Sequence, residues 1–135
     1  MRESLKYPSF SAAESVLTKI GVDPSTRFDK FDQDFEYTSC EVGELDKYLD
    51  LYVSPETTDE EKRLLGCFIL QCLNDYIEEY DKEHEKQSYS VELLFNDMDI
   101  HETELEYWST THSDDENDWW YITKYLIDKK NITKP

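Results

Sequence analysis

The spacing of apolar residues predicts an all-α fold, a bundle of about five to six helices. Three observations carry this. Apolar side chains recur every three or four residues in each long segment, the period of one helix face. Three Gly and four Pro in 135 residues are too few for a many-turned β sandwich. Helix start and stop signals fall between the periodic segments. At this length the chain is expected to form a single acidic helical domain over residues 1–135, burying roughly two-thirds of its unfolded surface.

The elements follow in order. Ser9 or Ser11 caps a first helix running to Ile20, with Ala13, Val16, Leu17 and Ile20 on one face and Gly21 as its stop. Val22, Asp23, Pro24 and Ser25 read as a turn. Residues 28–40 mix aromatics with acids, a pattern that suits an anchored loop or a small β element. A short helix at 44–52 places Leu45, Tyr48, Leu49 and Tyr52 together, and Ser54-Pro55 ends it. Thr57 with Glu60, and Thr58 with Glu61, form two overlapping capping boxes. The helix they start carries Leu64, Leu65, Phe68, Ile69, Cys72, Leu73, Tyr76, Ile77 and Tyr80, a stripe wide enough for the central core element. Its charged end, 78–86, is expected in solvent. Ser90 is expected to cap the next helix, with Val91, Leu94, Phe95 and Met98 inward, and Asp99 to cap a further one through Leu105 to Trp108. After a polar loop at 109–116, a last helix is expected over 117–128, with Lys124, Lys129 and Lys130 towards its C-terminal end.

Charge is the strongest functional signal. The chain has 32 acidic and 14 basic residues, a net charge of −18 and a pI near 4.3. Residues 87–123 hold ten carboxylates, no Lys or Arg, and all three tryptophans, Trp108, Trp119 and Trp120. Anionic runs are commonly disordered, but Val91, Leu93, Leu94, Phe95, Met98, Ile100 and Leu105 give this one a core to join. Such a surface repels phosphates, so direct nucleic-acid binding and anionic membranes are both disfavoured. It favours fast, salt-sensitive capture of basic proteins.

No motif points to catalysis, and the chain is read as a non-enzyme without a cofactor. The run from Asp97 to Trp108 starts like a calcium loop, but Glu102 stands where glycine is needed and Trp108 where a bidentate glutamate is needed. His84, His101 and His112 form no paired zinc spacing, and His101 is expected as an exposed residue making a local hydrogen bond. There is no Gly-rich phosphate loop and no nucleophile elbow. Cys40, Cys67 and Cys72 form no Cys-x-x-Cys pair. Cys67 and Cys72 lie in the apolar helical run as core thiols, which suits a reducing cytoplasm. Residues 1–10 lack a signal-peptide core, and the longest apolar run, 64–70, is too short to span a bilayer.

Two patches are therefore the candidate partner-binding residues. The first is Asp114, Asp115, Glu116 and Asp118 leading into Trp119, Trp120 and Tyr121. Tight interfaces centre on Trp and Tyr, with charges supplying steering. On a helix, adjacent residues point about 100° apart, so one of Trp119 and Trp120 is expected in the core and the other at its edge. The second patch is Asp29, Asp32 and Asp34, with Glu36, Phe31 and Tyr37.

In size, charge and acidic-aromatic segments such as HSDDENDWWYITKYL and ELEYW, the chain resembles the small acidic immunity proteins of bacterial toxin systems. The resemblance implies an inhibitor that neutralises a basic toxin, often a nuclease, by blocking its substrate groove. It implies no particular fold, because such proteins come in many. Two alternatives stand beside it. A phage-type nucleic-acid mimic would be displaced by duplex DNA from several unrelated proteins, and a metal-dependent hydrolase would lose activity on chelation.

Overall fold

The computed structural model describes residues 5–28, 35–111 and 113–133. The helices are α1 (Phe10–Lys19), α2 (Phe35–Thr38), α3 (Leu45–Tyr52), α4 (Asp59–Tyr80), α5 (Gln87–Asn96), α6 (Met98–Ser109) and α7 (Thr123–Thr133). Helix α2 is a single turn, so among the described residues the bundle has six helices of greater length, as the apolar period predicts. The β element considered for 28–40 is absent among the described residues; Phe35–Thr38 turns helically, and residues 29–34 lie outside the described ones. Phe35 there packs against Phe10 and Phe28, with ring centroids 5.6 and 5.8 Å away.

Helix α4 is the axis. The Thr58 hydroxyl accepts from the Glu61 N–H at 3.1 Å, and the Glu61 carboxylate accepts from the Thr58 N–H at 3.0 Å. Only this one of the two predicted capping boxes forms, because the Thr57 hydroxyl donates instead to the Leu51 carbonyl at the end of α3. Residues 63–70 are buried without interruption. A helix buried all round needs neighbours on every side, and α1, α2, α3, α5 and α6 all pack on α4. Each fully buried Leu, Ile or Phe there contributes about 1.5–3 kcal/mol. Helix α7 packs on α6. The helix stops at Tyr80, where Asp81 takes the left-handed conformation, φ 55°, and its N–H donates to the Ile77 carbonyl. Tyr80 is exposed there rather than part of the core.

Polar anchors fix the helices to one another. The Glu61 carboxylate also accepts from Ser15 Oγ and from Lys19 Nζ, both at 2.7 Å, which ties α1 to the start of α4. Burial pushes the Glu61 pKa up, but the bonds from Lys19, Thr58 and Ser15 outweigh it and bring the value down to about 2. Arg27 forks onto both oxygens of Glu44, at 2.9 and 2.8 Å, and also donates to the Ser39 carbonyl.

The deepest anchor is an ion pair inside the core. Arg63 on α4 and Glu104 on α6 meet at 3.1 Å, both almost fully buried. Arg63 also donates to the Leu5 and Lys6 carbonyls, holding the N-terminal segment against α4. The Cys67 thiol, held protonated by burial, donates to Glu104 at 3.2 Å. The other Glu104 oxygen accepts from Trp108 Nε1 at 2.8 Å.

His101 corrects one expectation. It is fully buried, not exposed. The Tyr52 hydroxyl donates to Asp97 Oδ2 at 2.6 Å and so must accept from His101 Nε2, 2.7 Å away. The ring is thus the Nε2–H tautomer, and its Nδ1 has no hydrogen-bond partner among the described residues. Gly66 is what allows the ring in: a Cβ at that position would lie 2.6 Å from Nδ1. Burial, with Arg63 nearby, pulls the His101 pKa down to about 3. Sequence spacing could not show this, because Tyr52 and Gly66 come from α3 and α4.

Two helix starts also differ from the sequence reading. Helix α5 starts at Gln87, not at Ser90, because the chain reverses at His84, whose Nδ1 accepts from the Lys86 N–H. Ser90 lies buried inside the helix and donates to the Lys86 carbonyl. Helix α6 starts at Met98 after a break at Asp97, whose carboxylate is taken by Tyr52. That break turns Met98 off the buried face of α5 into solvent.

Two outcomes are expected. Glu104→Gln leaves the buried guanidinium without its counter-ion and should lower stability by about 3–5 kcal/mol in urea denaturation. His101 in the folded state refuses a proton that the unfolded state accepts below its ordinary pKa of about 6.5. Stability should therefore fall on acidification from about pH 6.5 towards 3, by up to about 1.4 kcal/mol per pH unit more than in His101→Gln. Denaturation midpoints of the two proteins between about pH 7 and 5 measure the difference.

Candidate functional site

The α6–α7 connection brings the first acidic-aromatic patch together. The sequence pattern predicts a helix from Asn117 onward, and the structure corrects this. A 3-10 turn at Glu116–Asp118 is followed by an extended Trp119, and α7 begins only at Thr123. The cause is a set of side-chain bonds, most of them to backbone, that compete with a helix. Asp115 Oδ1 accepts from the Asn117 N–H at 3.0 Å. Ser113 Oγ accepts from the Asp115 N–H and donates to Asp118 Oδ2. Trp119 Nε1 donates to the Ser113 carbonyl at 2.8 Å, closing the turn.

The far end of the turn is clamped to the core. The Ile122 N–H donates to Asn74 Oδ1 on α4 at 3.0 Å, and Thr123 Oγ1 donates to the Trp108 carbonyl at 2.8 Å. The turn is thus held by bonds at both ends, with its carboxylates outward. Asp114, Asp115, Glu116 and Asp118 are all exposed. Asp114 has no bond or ion pair among the described residues. Glu116 meets Lys124 at 3.0 Å, but both are exposed and the pair is weak.

The tryptophans divide, though not as neighbours on a helix. Trp119 is half-buried and structural. Trp120 is 36% exposed and lies 5.0 Å from Trp108 and 4.8 Å from Tyr107, ring centre to ring centre. Tyr107 is itself 44% exposed and Tyr121 55%. Trp120, Tyr121 and Tyr107 thus form an exposed aromatic group beside the carboxylates. Tyr107 was not singled out from the sequence; its signal was the ELEYW segment, where it neighbours Trp108, but only packing brings it to Trp120. A cavity of about 150 Å³ lined by Thr110, Thr111, Ser113, Asp118, Trp119 and Trp120 lies alongside. It is too small for a drug-sized ligand, which suits an anchor side chain better than a substrate.

Asp29, Asp32 and Asp34, the second predicted patch, lie outside the described residues, as does Phe31. Glu36 is half-buried on α2. Beyond Lys124, the basic residues Lys19, Arg27, Arg63, Lys86 and Lys129 each meet a carboxylate. Among the described residues, no three His, Cys, Asp or Glu side chains are grouped as a metal would need. No helix of the described residues is long and apolar enough to cross a membrane.

Because asparagine keeps each acceptor oxygen, Asp114→Asn, Asp115→Asn and Asp118→Asn together should leave stability within about 1–1.5 kcal/mol of the parent. Trp119→Phe loses the bond to Ser113 and should cost about 0.5–1.5 kcal/mol while raising amide exchange over 113–119. Thermal denaturation and hydrogen exchange check both. Against known protein families, curated proteins and solved structures the chain finds no match, so the case for this site rests on its own geometry.

Proposed function

We propose that this chain is an acidic protein-binding inhibitor, an immunity protein that neutralises a basic bacterial toxin. The toxin is a nuclease in this reading, and the inhibitor acts in the cytoplasm without catalysis or cofactor. The observation that carries it is the α6–α7 turn. Carboxylates and exposed aromatic rings stand side by side there on a backbone held at both ends. A nuclease presents a cationic groove for phosphates. Carboxylates placed in that groove replace the phosphates, and long-range attraction speeds capture. Trp120, Tyr107 and Tyr121 would be desolvated on contact and slow release. Pre-ordering of the turn limits the entropy lost on binding.

The test begins with the reading frames flanking this one. A neighbour ending in a compact basic domain, toxic alone and harmless with this chain, supplies the partner. Its association rate should drop at least tenfold as ionic strength rises from about 0.05 to 0.5 M. The triple asparagine variant should slow association, and Trp120→Ala should speed dissociation. An unchanged rate in the triple variant removes the turn as the docking surface. Duplex DNA displacing this chain from several unrelated basic proteins would instead favour the mimic.

A further inference from the structure

A second cavity, of about 280 Å³, opens where the start of α3 meets the last turns of α4 and the loop after it. Leu45 and Asp46 line it from α3, Tyr76, Glu79 and Tyr80 from α4, and His84 from the loop. Its volume sits at the lower limit of ligand pockets, so it takes one side chain or a molecule of that size. The rings are held in place by one another. Tyr76 lies 4.5 Å from Tyr80 and 4.6 Å, edge-on, from His84. His84 is oriented in turn by accepting the Lys86 N–H at 2.9 Å.

Two carboxylates among aromatic rings exclude an anion and select a cation. Tyrosine faces attract cations through the ring quadrupole, most effectively a weakly hydrated one. The site already draws in the chain's own ammonium at its rim: Lys86 meets Asp46 at 2.6 Å. That pair is exposed on both sides and gives little stability. Glu79, in contrast, makes no hydrogen bond or ion pair among the described residues. No lysine or arginine lines the cavity. A metal ion is poorly served, since no third His, Cys, Asp or Glu ligand stands close enough to these carboxylates. A planar guanidinium can stack on a phenol ring and fork onto a carboxylate in one pose, which a compact ammonium cannot.

We propose that this cavity receives an arginine side chain of a protein partner. The inference stands apart from the acidic turn, which shares no lining residue with the cavity.

The test titrates the full chain with N-acetyl-arginine N-methylamide at low salt and follows amide chemical shifts. The citrulline analogue serves as the neutral isostere and the lysine analogue as the compact cation. Saturable shifts at Asp46, Glu79, Tyr80 and His84 are expected with arginine and not with citrulline. Tyr80→Ala, at an exposed position, should weaken binding about two- to fivefold. Glu79→Gln, which keeps the side-chain shape, should weaken it at least as much. Shifts that never saturate, or that follow the acidic residues 114–118 equally, would mark general attraction to a −18 chain and overturn the proposal. Equal binding of citrulline or lysine overturns the guanidinium assignment. Tighter binding of free arginine than of the capped residue assigns the cavity to a small metabolite and overturns the docking role.

Discussion

A positive charge in the middle of the core organises this molecule. Arg63 cannot reach water, so each of its donors must find a partner inside, and those partners come from two distant parts of the chain. Leu5 and Lys6 bring in the N-terminal segment, and Glu104 brings in α6. Such a pair adds little over apolar packing, but either ion left alone is penalised by several kcal/mol. What it enforces is the geometry of α4 against α6. The second Glu104 oxygen passes that constraint on to Trp108, and Trp108 is the wall against which Trp120 rests. The exposed aromatic group at the surface is therefore registered to a buried ion pair.

The polar core continues one helical turn away. Asp97, Tyr52 and His101 form a chain of hydrogen bonds between α3 and the start of α6, with the imidazole lying against Gly66. Glycine in a helix interior is less favourable than alanine by about 1 kcal/mol. Here the missing Cβ makes room for a ring that a methyl group would strike. Between them, Arg63 and His101 leave α6 no freedom to slide along α4.

Charge is sorted rather than merely abundant. Several basic side chains meet carboxylates inside the fold, as Lys19 meets Glu61 and Arg27 meets Glu44. Other exposed carboxylates stand along the helices, among them Glu60 and Glu79 on α4 and Glu106 on α6, and four more stand close together in the turn at 114–118. A turn aims several neighbouring side chains outward at once, which a helix cannot do because its residues fan around the axis. At 114–118 the carboxylates that a basic partner would meet stay exposed even where they also brace the turn, as Asp115 and Asp118 do.

Local chemistry was legible in the sequence. The capping box at Thr58 and Glu61, the Gly21 stop and the apolar period of α4 depend on neighbours within a few residues, and each appears where the pattern places it. The acidic-aromatic character of 114–121 was equally plain, because charge and ring content are properties of composition. Tertiary structure decided the rest. Ser90 is a core hydroxyl rather than a cap because the chain reverses at His84. Trp120 is exposed because Ser113 and Asp115 take up the backbone N–H groups of Asp115 and Asn117 and hold a turn where a last helix would have started. His101 reads as an exposed residue, and nothing in the local pattern marks Arg63 or Glu104 as core; all three are buried because their partners stand 37 to 58 residues away. Periodicity reports which face of a helix is apolar, but a buried charge is set by what lies across the interface, and that is known only once the helices have packed.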